Sequence, residues 1–283
     1  MLISPRMLCA GLVSLALALS AACGGSADKA SNEPLDPQLL VSNPSAALGA
    51  SADRFEASVQ SVEARFSLEM SMQGSRFGAE GEFAYRAPDS AHMTMRMSGG
   101  DGQFVDLAQL GEFEVLLLGD EIYMNTGFTG WAKASLGDLG ADADSLKKLL
   151  DGHSPLDYQA FVDDVGATVE NMGDTTVNGK TYTRLRITTD FGQLMDSVFN
   201  SLGGSGLGEG ALPMDISGPI TMDILMDPAT MLPFTFEANG EFNISGESAD
   251  FKMAFKFFDY NGPVDIPEPP ADAVPFDQVE SGG

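Results

Sequence analysis

The sequence predicts an α+β protein built on a strongly curved antiparallel β-sheet, a half-barrel that wraps a few helices. Three observations carry that expectation. Apolar and polar residues alternate with period 2 along most of the chain. Helical periodicity appears in only four short places. The composition, 43% hydrophobic over 283 residues, is enough to bury a full core despite a net charge of −26. A sheet of about ten long strands with one apolar face must have that face covered. Four short helices are few for the purpose, so the sheet should curl and leave an apolar cavity.

The N-terminus is expected to stay outside the fold. Arg6 supplies a short basic region and Leu8 to Ala22 an apolar stretch ending in small residues. That stretch is shorter than the roughly 20 residues a membrane-spanning helix needs, so residues 1–22 read as a signal peptide. The run Leu19-Ser20-Ala21-Ala22-Cys23 looks like a bacterial lipobox, with Ser20 where a large aliphatic residue is usual. Cys23 would then be lipidated and become the first residue of the mature chain. Residues 23–45, polar and carrying Gly24, Gly25 and Pro34, read as a flexible tether. A single domain is expected over 46–275 and a disordered tail over 276–283. Cys9 leaves with the signal and Cys23 carries lipid, so the folded domain has no thiol for disulfides, redox chemistry or nucleophilic attack.

Strands are written most clearly in five places. In 62–72 the set Val62, Ala64, Phe66, Leu68, Met70 and Met72 alternates with Glu63, Arg65, Ser67, Glu69 and Ser71. In 91–97 Ala91, Met93, Met95 and Met97 alternate with His92, Thr94 and Arg96. Ile220, Met222, Ile224 and Met226 share one face of 219–226, and Leu232, Phe234, Phe236 and Ala238 share one after the turn at Asp227-Pro228. Phe251, Met253, Phe255 and Phe257 alternate with Lys252 and Lys256. Shorter or weaker strands fit 77–86, 103–107, 112–118, 121–125, 167–173 and 181–189. Asn178-Gly179 and Asn239-Gly240 are two-residue hairpin signals. Helical spacing marks 48–60, 142–150, 155–164 and 191–202; the last, with Met195 and Phe199, is a candidate lid and runs into a Gly-rich loop over 203–210.

Several function classes are excluded. A chain with 41 acidic and 15 basic residues is not built to hold a phosphate backbone, so no nucleic acid is expected. Two histidines cannot make a dense metal site. Ser205 lies in Gly203-Gly204-Ser205-Gly206-Leu207, which is neither a nucleophile elbow nor a phosphate loop. Asp138, Asp142 and Asp144 lack the glycine and distal glutamate of a calcium loop. His92 is placed outward on its strand and His153 in a loop, and Trp131 is expected to pack. No catalytic group, metal or cofactor emerges.

A series of motifs resembles the LppX/LprG-type bacterial lipoproteins. Gly119-Asp120-Glu121-Ile122-Tyr123-Met124 leading to Gly130-Trp131-Ala132-Lys133 looks like one hairpin of that family. Asp174 to Lys180 followed by Tyr182 resembles another. Met226-Asp227-Pro228 to Leu232-Pro233 resembles its turn, and Phe258-Asp259-Tyr260-Asn261-Gly262-Pro263-Val264 with Pro267 its ending. The order and spacing hold across about 50–270, while the Gly-rich loop at 203–210 departs from the pattern and Arg184 stands where relatives often carry His. The resemblance implies a LolA/LolB-like half-barrel that holds acyl chains between sheet and helices and carries lipids or glycolipids across the cell envelope, without catalysis. Lipid would then be the ligand, the membrane would be reached through the N-terminal anchor on the extracytoplasmic side, and an envelope partner protein could hand the ligand over. A competing expectation is a sensor or interaction lipoprotein whose curved sheet binds a partner protein and whose core is full.

The inward faces nominate the lining of such a cavity: Phe66, Leu68, Met70, Met93, Met95, Leu185, Ile187, Met195, Phe199, Met222, Ile224, Phe236, Met253 and Phe255. Methionine is flexible and polarizable and suits a surface that must accept varied apolar shapes. A polar head group would stay at the rim, near Lys147, Lys148 or Arg184. The acids, by contrast, fall on outward positions such as Glu63, Glu69, Asp223 and Glu237, which should hold the domain off an anionic surface except through its anchor.

Overall fold

The computed structural model describes residues 36–72, 74–99, 111–125, 130–136, 162, 165–194, 216–244, 247–276 and 278. Among them two helices precede a single sheet. Helix α1 spans Leu39–Ser42 and α2 spans Pro44–Ser58. The strands are β1 (Ser61–Met72), β2 (Ser75–Arg86), β3 (Ser90–Gly99), β4 (Glu112–Leu118), β5 (Glu121–Asn125), β6 (Trp131–Ser135), β7 (Thr168–Val177), β8 (Lys180–Asp190), β9 (Ile216–Ser217), β10 (Pro219–Met226), β11 (Pro233–Ile244), β12 (Glu247–Phe258) and β13 (Val274–Pro275).

All thirteen strands belong to one curved sheet, ordered β13-β6-β5-β4-β3-β2-β1-β12-β11-β10-β8-β7, with β9 paired to β11. Every pairing is antiparallel except that of β13 with β6. The path runs from β13 at one end to β7 at the other without closing. This is the α+β half-barrel that the alternation predicts.

The strands form where alternation is strict. β10 follows the pattern exposed-buried throughout, Ile220, Met222, Ile224 and Met226 being buried and Thr221, Asp223 and Leu225 half-buried. β12 buries Ala249, Phe251, Met253, Phe255 and Phe257 between exposed Lys252 and Lys256. A shift of one residue would turn each apolar set to the other face, so this pattern also fixes the register.

Helix α2 begins at Pro44, four residues before the helical pattern of 48–60. Asn43 caps it, its side chain accepting from the Ala46 N–H at 3.2 Å, and proline is tolerated at the first helical position. Of its buried residues, Ala47, Leu48 and Phe55 belong to the main core. Part of the stretch expected to be tether is helical and packed on the sheet: Leu40 is 1% exposed, and its carbonyl accepts from Asn171 Nδ2 on β7 at 2.6 Å. At the other end of α2, Phe55 meets Tyr260 edge-on, just beyond β12. From β7 to β1 the sheet crosses five strand spacings, about 24 Å, and a helix of 15 residues is about 22 Å long. The helix thus lies across that half of the inner face.

Two expectations about turns and faces are corrected. Asn178-Gly179 does close the β7–β8 hairpin, with φ of 52° and 80°, as a type I′ turn requires. Asn239-Gly240 does not close a hairpin. It lies inside β11, paired with Thr221 and Ile220 on one side and Lys252 and Phe251 on the other. Glycine is there for close approach: a Cβ on Gly240 would stand 2.6 Å from the Pro219 carbonyl oxygen. Phe234, in turn, does not share the inner face with Phe236. The ladder between β10 and β11 shifts at Leu225/Met226, and this bulge sends the ring to the outer face, where it stacks on Tyr182.

The expected helices over 142–150 and 155–164 and the strand over 103–107 fall outside the described residues apart from position 162, as does 195–202 of the proposed lid. Residues 191–194 do form a helical turn, and its Phe191 stacks on Phe242 with ring centroids 4.4 Å apart.

Candidate functional site

The cross-strand register defines what the inner face is made of. One ladder runs Leu185, Ile224, Phe236, Phe255, Phe66, Gly81, Met95, Phe113. The next runs Ile187, Met222, Ala238, Met253, Leu68, Ala79, Met97. A third contains Phe257, Ala64, Phe83, Met93, Val115 and Met124. Nine methionines, Met70, Met72, Met93, Met95, Met97, Met124, Met222, Met226 and Met253, occupy this face.

No charged residue occurs in these three ladders; on the same face acids stand only at the margins, Asp174 opposite Thr183 and Glu247 opposite Ile244. The few polar side chains there are satisfied within the fold. Thr183 donates to Asp174 at 2.9 Å, Thr189 to the Val165 carbonyl at 2.7 Å, and Asn171 to Leu40. Such a surface offers no hydrogen-bonding group to a ligand's head and a long apolar surface to its tail. Burying apolar matter on it releases water at about 25 cal/mol per Å².

Of the residues nominated by sequence, twelve lie on this one face: Phe66, Leu68, Met70, Met93, Met95, Leu185, Ile187, Met222, Ile224, Phe236, Met253 and Phe255. All twelve belong to one hydrophobic core, Leu68, Met70 and Phe236 packing against it from partly buried positions, but they are spread widely over the sheet. From Leu185 on β8 to Met95 on β3 the sheet takes six spacings, roughly 29 Å along its surface. Phe66, Phe236 and Phe255 pack on one another, with centroids 5.6 and 6.4 Å apart. Leu68, Met70 and Phe236 remain partly exposed. Met195, Phe199, Lys147, Lys148, His153 and Cys23 lie outside the described residues.

Arg184 is not at a rim of the inner face. It alternates with Leu185 and stands opposite Leu225 on the outer face. Its Nε is the one buried side-chain nitrogen or oxygen without a hydrogen-bond partner among the described residues. The strand parity already contained this placement, since Leu185 and Ile187 point inward. His92 also faces outward but is not simply solvated, because its Nε2 lies 2.7 Å from Glu114 Oε1.

The outer face holds its own charge network on β8 and β10. Arg186 donates twice to Asp223, at 2.8 Å each, and this bidentate pairing holds the Asp223 carboxyl below its ordinary value. Burial pushes the Asp227 carboxyl up, but donation from Lys180 at 2.7 Å and from the Ala229 N–H outweighs it, so Asp227 too stays below the usual range. Tyr182, Phe234 and Phe258, aromatic residues on this face, were missed by sequence reasoning. The signal available was an aromatic ring at polar parity in Tyr182 and Phe258; the bulge that turns Phe234 outward left none.

The fold and face together define an open antiparallel half-barrel with an apolar inner surface. No protein-family model matches the chain, and no curated protein matches it. Among solved structures it is similar to the lipoprotein LppX of Mycobacterium tuberculosis, at 16% identity and a TM-score of 0.41, over 80% of this chain and 100% of that one. It is also similar to LprF of Mycobacterium bovis, at 14% identity and a TM-score of 0.39, over 82% of this chain and 96% of that one. A LolA superfamily protein of Nitrosomonas europaea follows at 8% identity and a TM-score of 0.25, over 74% of this chain and 88% of that one.

Proposed function

We propose that this protein is an envelope lipoprotein that carries an acylated lipid on the inner face of its half-barrel, without catalysing a reaction on it. The observation that carries the reading is the make-up of that face: long apolar ladders, rich in methionine, with charge only at its margins, at Asp174 and Glu247, and no unsatisfied buried polar side chain among the described residues. An acyl chain laid on it would gain about 0.8 kcal/mol per methylene removed from water. Methionine would let one surface accept chains of different length and unsaturation. The head group, finding no partner inside, would remain outside the apolar surface. Cys23 would hold the protein to the membrane on the extracytoplasmic side through its lipid.

The test is direct. Mature protein purified from its envelope should release acyl lipid on extraction, seen by mass spectrometry, and should take up a fluorescent fatty-acyl probe after delipidation. Met95→Lys, which puts a charge on the inner ladder, should abolish uptake, while Arg184→Gln on the outer face should leave it intact. Protein that holds no lipid and takes up no probe would sink the reading.

A further inference from the structure

Three Asn-Gly pairs occur in the chain, at 178–179, 239–240 and 261–262, and the fold treats them differently. Asparagine before glycine is the pairing in which a peptide rearranges most readily without an enzyme. The glycine nitrogen attacks the carbonyl carbon of the asparagine side chain, and glycine has no Cβ to hinder the approach. Two things are needed: a backbone N–H that is not held in a hydrogen bond, and an asparagine side chain free to swing over it.

Asn178-Gly179 meets both needs. The pair forms the two central residues of the β7–β8 turn, beyond the last ladder pair, Val177 with Lys180. Both residues are exposed, and a Cβ built on Gly179 would meet nothing within 4 Å. Neither the Gly179 N–H nor the Asn178 side chain has a hydrogen-bond partner among the described residues. Asn239-Gly240 fails on the backbone. Asn239 is exposed too, so access to water does not separate the pairs. Its peptide lies inside β11, and with strands paired on both sides the Gly240 N–H is committed to the ladder. Asn261-Gly262 fails on both needs. The Gly262 N–H donates to the Asp259 carbonyl at 3.0 Å. The Asn261 side chain accepts from the Gln60 N–H at 2.6 Å and donates to the Ser58 carbonyl at 3.0 Å.

We propose that Asn178 is a site of spontaneous modification, converting to aspartate and isoaspartate in the folded protein while Asn239 and Asn261 are preserved. The Gly179 nitrogen bonds to Asn178 Cγ, its proton passes through solvent to the side-chain nitrogen, and that nitrogen leaves as ammonia. Water then adds to either carbonyl of the resulting five-membered imide. Breaking the new N–Cγ bond gives aspartate; breaking the original peptide bond gives isoaspartate. The two products differ in what they do to the turn. Aspartate keeps the backbone path, and Asp-Gly suits a type I′ turn as Asn-Gly does. Isoaspartate routes the chain through Cγ, which adds an atom to a two-residue turn whose length sets the register. β7 pairs with β8 alone, so β7 is the strand that yields. It also carries Asn171, which holds the Leu40 carbonyl of α1.

Ageing the mature protein in mildly alkaline heavy-oxygen water, followed by peptide mapping and mass spectrometry, tests the assignment. The peptide spanning 178 should take up the solvent's oxygen and resolve into two chromatographic isomers. It should convert roughly tenfold or more faster than the peptides spanning 239 and 261, which must first open locally. In denaturant all three should convert at similar rates, since only the fold distinguishes them. Protein carrying isoaspartate should exchange the amide hydrogens of β7 faster than fresh protein, whereas Asn178→Asp should not. One common rate at all three positions in the folded protein overturns the inference. So does an Asn178 that survives in the folded protein, whether or not it reacts in denaturant. Unchanged β7 exchange in the isoaspartate fraction would overturn the weakening of this edge.

Discussion

The two halves of the sheet solve the same problem with different side chains. From β12 to β8 the inner face is dominated by phenylalanine and branched aliphatics, locked by ring contacts that run Phe66–Phe255–Phe257–Tyr260 and Phe191–Phe242, and α2 lies across it. From β2 to β5 the corresponding positions hold Met93, Met95, Met97 and Met124 and the small residues Ala79, Gly81 and Ala91, interspersed with Phe77, Phe83, Tyr85 and Phe113, which make no run of stacked rings among the described residues. The strands differ as well: β11 and β12 have 12 residues each, whereas β4 has 7 and β5 has 5. Rings stacked in fixed geometry specify one packing. Unbranched methionine side chains beside small residues tolerate several. Under the carrier function proposed above, the aromatic half would hold the fold and the methionine half would receive the guest.

The largest effect should come from testing that division in the core. Phe255 is 3% exposed and touches Phe66, Phe236 and Phe257. Phe255→Ala should cost about 3–5 kcal/mol, because three rings around the vacancy cannot all collapse into it. For a chain of this size that is a fall in Tm of roughly 10 °C. Met95, also 3% exposed, stands between Gly81 and Phe113 on the neighbouring strands, and Met95→Ala should cost nearer 2 kcal/mol, the low end for core truncation. Thermal and denaturant unfolding measure both. Equal losses would erase the distinction between the halves.

How far the sequence disclosed this arrangement depends on what faced each strand. β1, β3, β10 and β12 were legible because one face is buried and the other wet, so alternation is enforced residue by residue. The extra reach of β11 was not, since Asn239-Gly240 is a local turn signal overridden by pairing on both sides. The outward turn of Phe234 was not legible either: it depends on the bulge opposite Leu225/Met226, which only the pairing of two strands creates. The apolar inner face was legible as a list of residues. Its division into an aromatic and a methionine half was not, because strand order places β12 beside β1, with paired residues 177 to 195 positions apart in the chain.

Acid should separate the halves in a smaller way. Asp223 and Asp227 both belong to the aromatic half, at β10 and its following turn, and both titrate below the ordinary value of 3.8. A carboxyl depressed in the folded state contributes stability that is fully present above its unfolded value and lost as pH falls through the folded one. Below about pH 4, then, hydrogen exchange in β8 and β10 should rise before that in β3 and β4. Asp223→Asn should lower stability at neutral pH by less than Phe255→Ala does, and should flatten the acid limb. Uniform loosening of all strands, or an acid limb unchanged in Asp223→Asn, would show that these carboxylates do not set the local stability.

The smallest stability change should belong to Met93→Leu with Met95→Leu, and it bears most directly on function. Leucine nearly conserves volume, so the pair should cost less than about 1.5 kcal/mol per site. If the methionines serve only to fill the core, acyl-probe uptake should be unaffected as well. If they make the face receptive, the branched and stiffer leucines should narrow the range of chain lengths bound while leaving the fold intact. A series of fluorescent acyl chains of increasing length reads this without a large background of unfolding. The same leucine exchange at Met222 and Met253, under the aromatic half, should leave the chain-length profile unchanged. Altered selectivity from both pairs would place the guest across the whole sheet, and the two halves would then share one role.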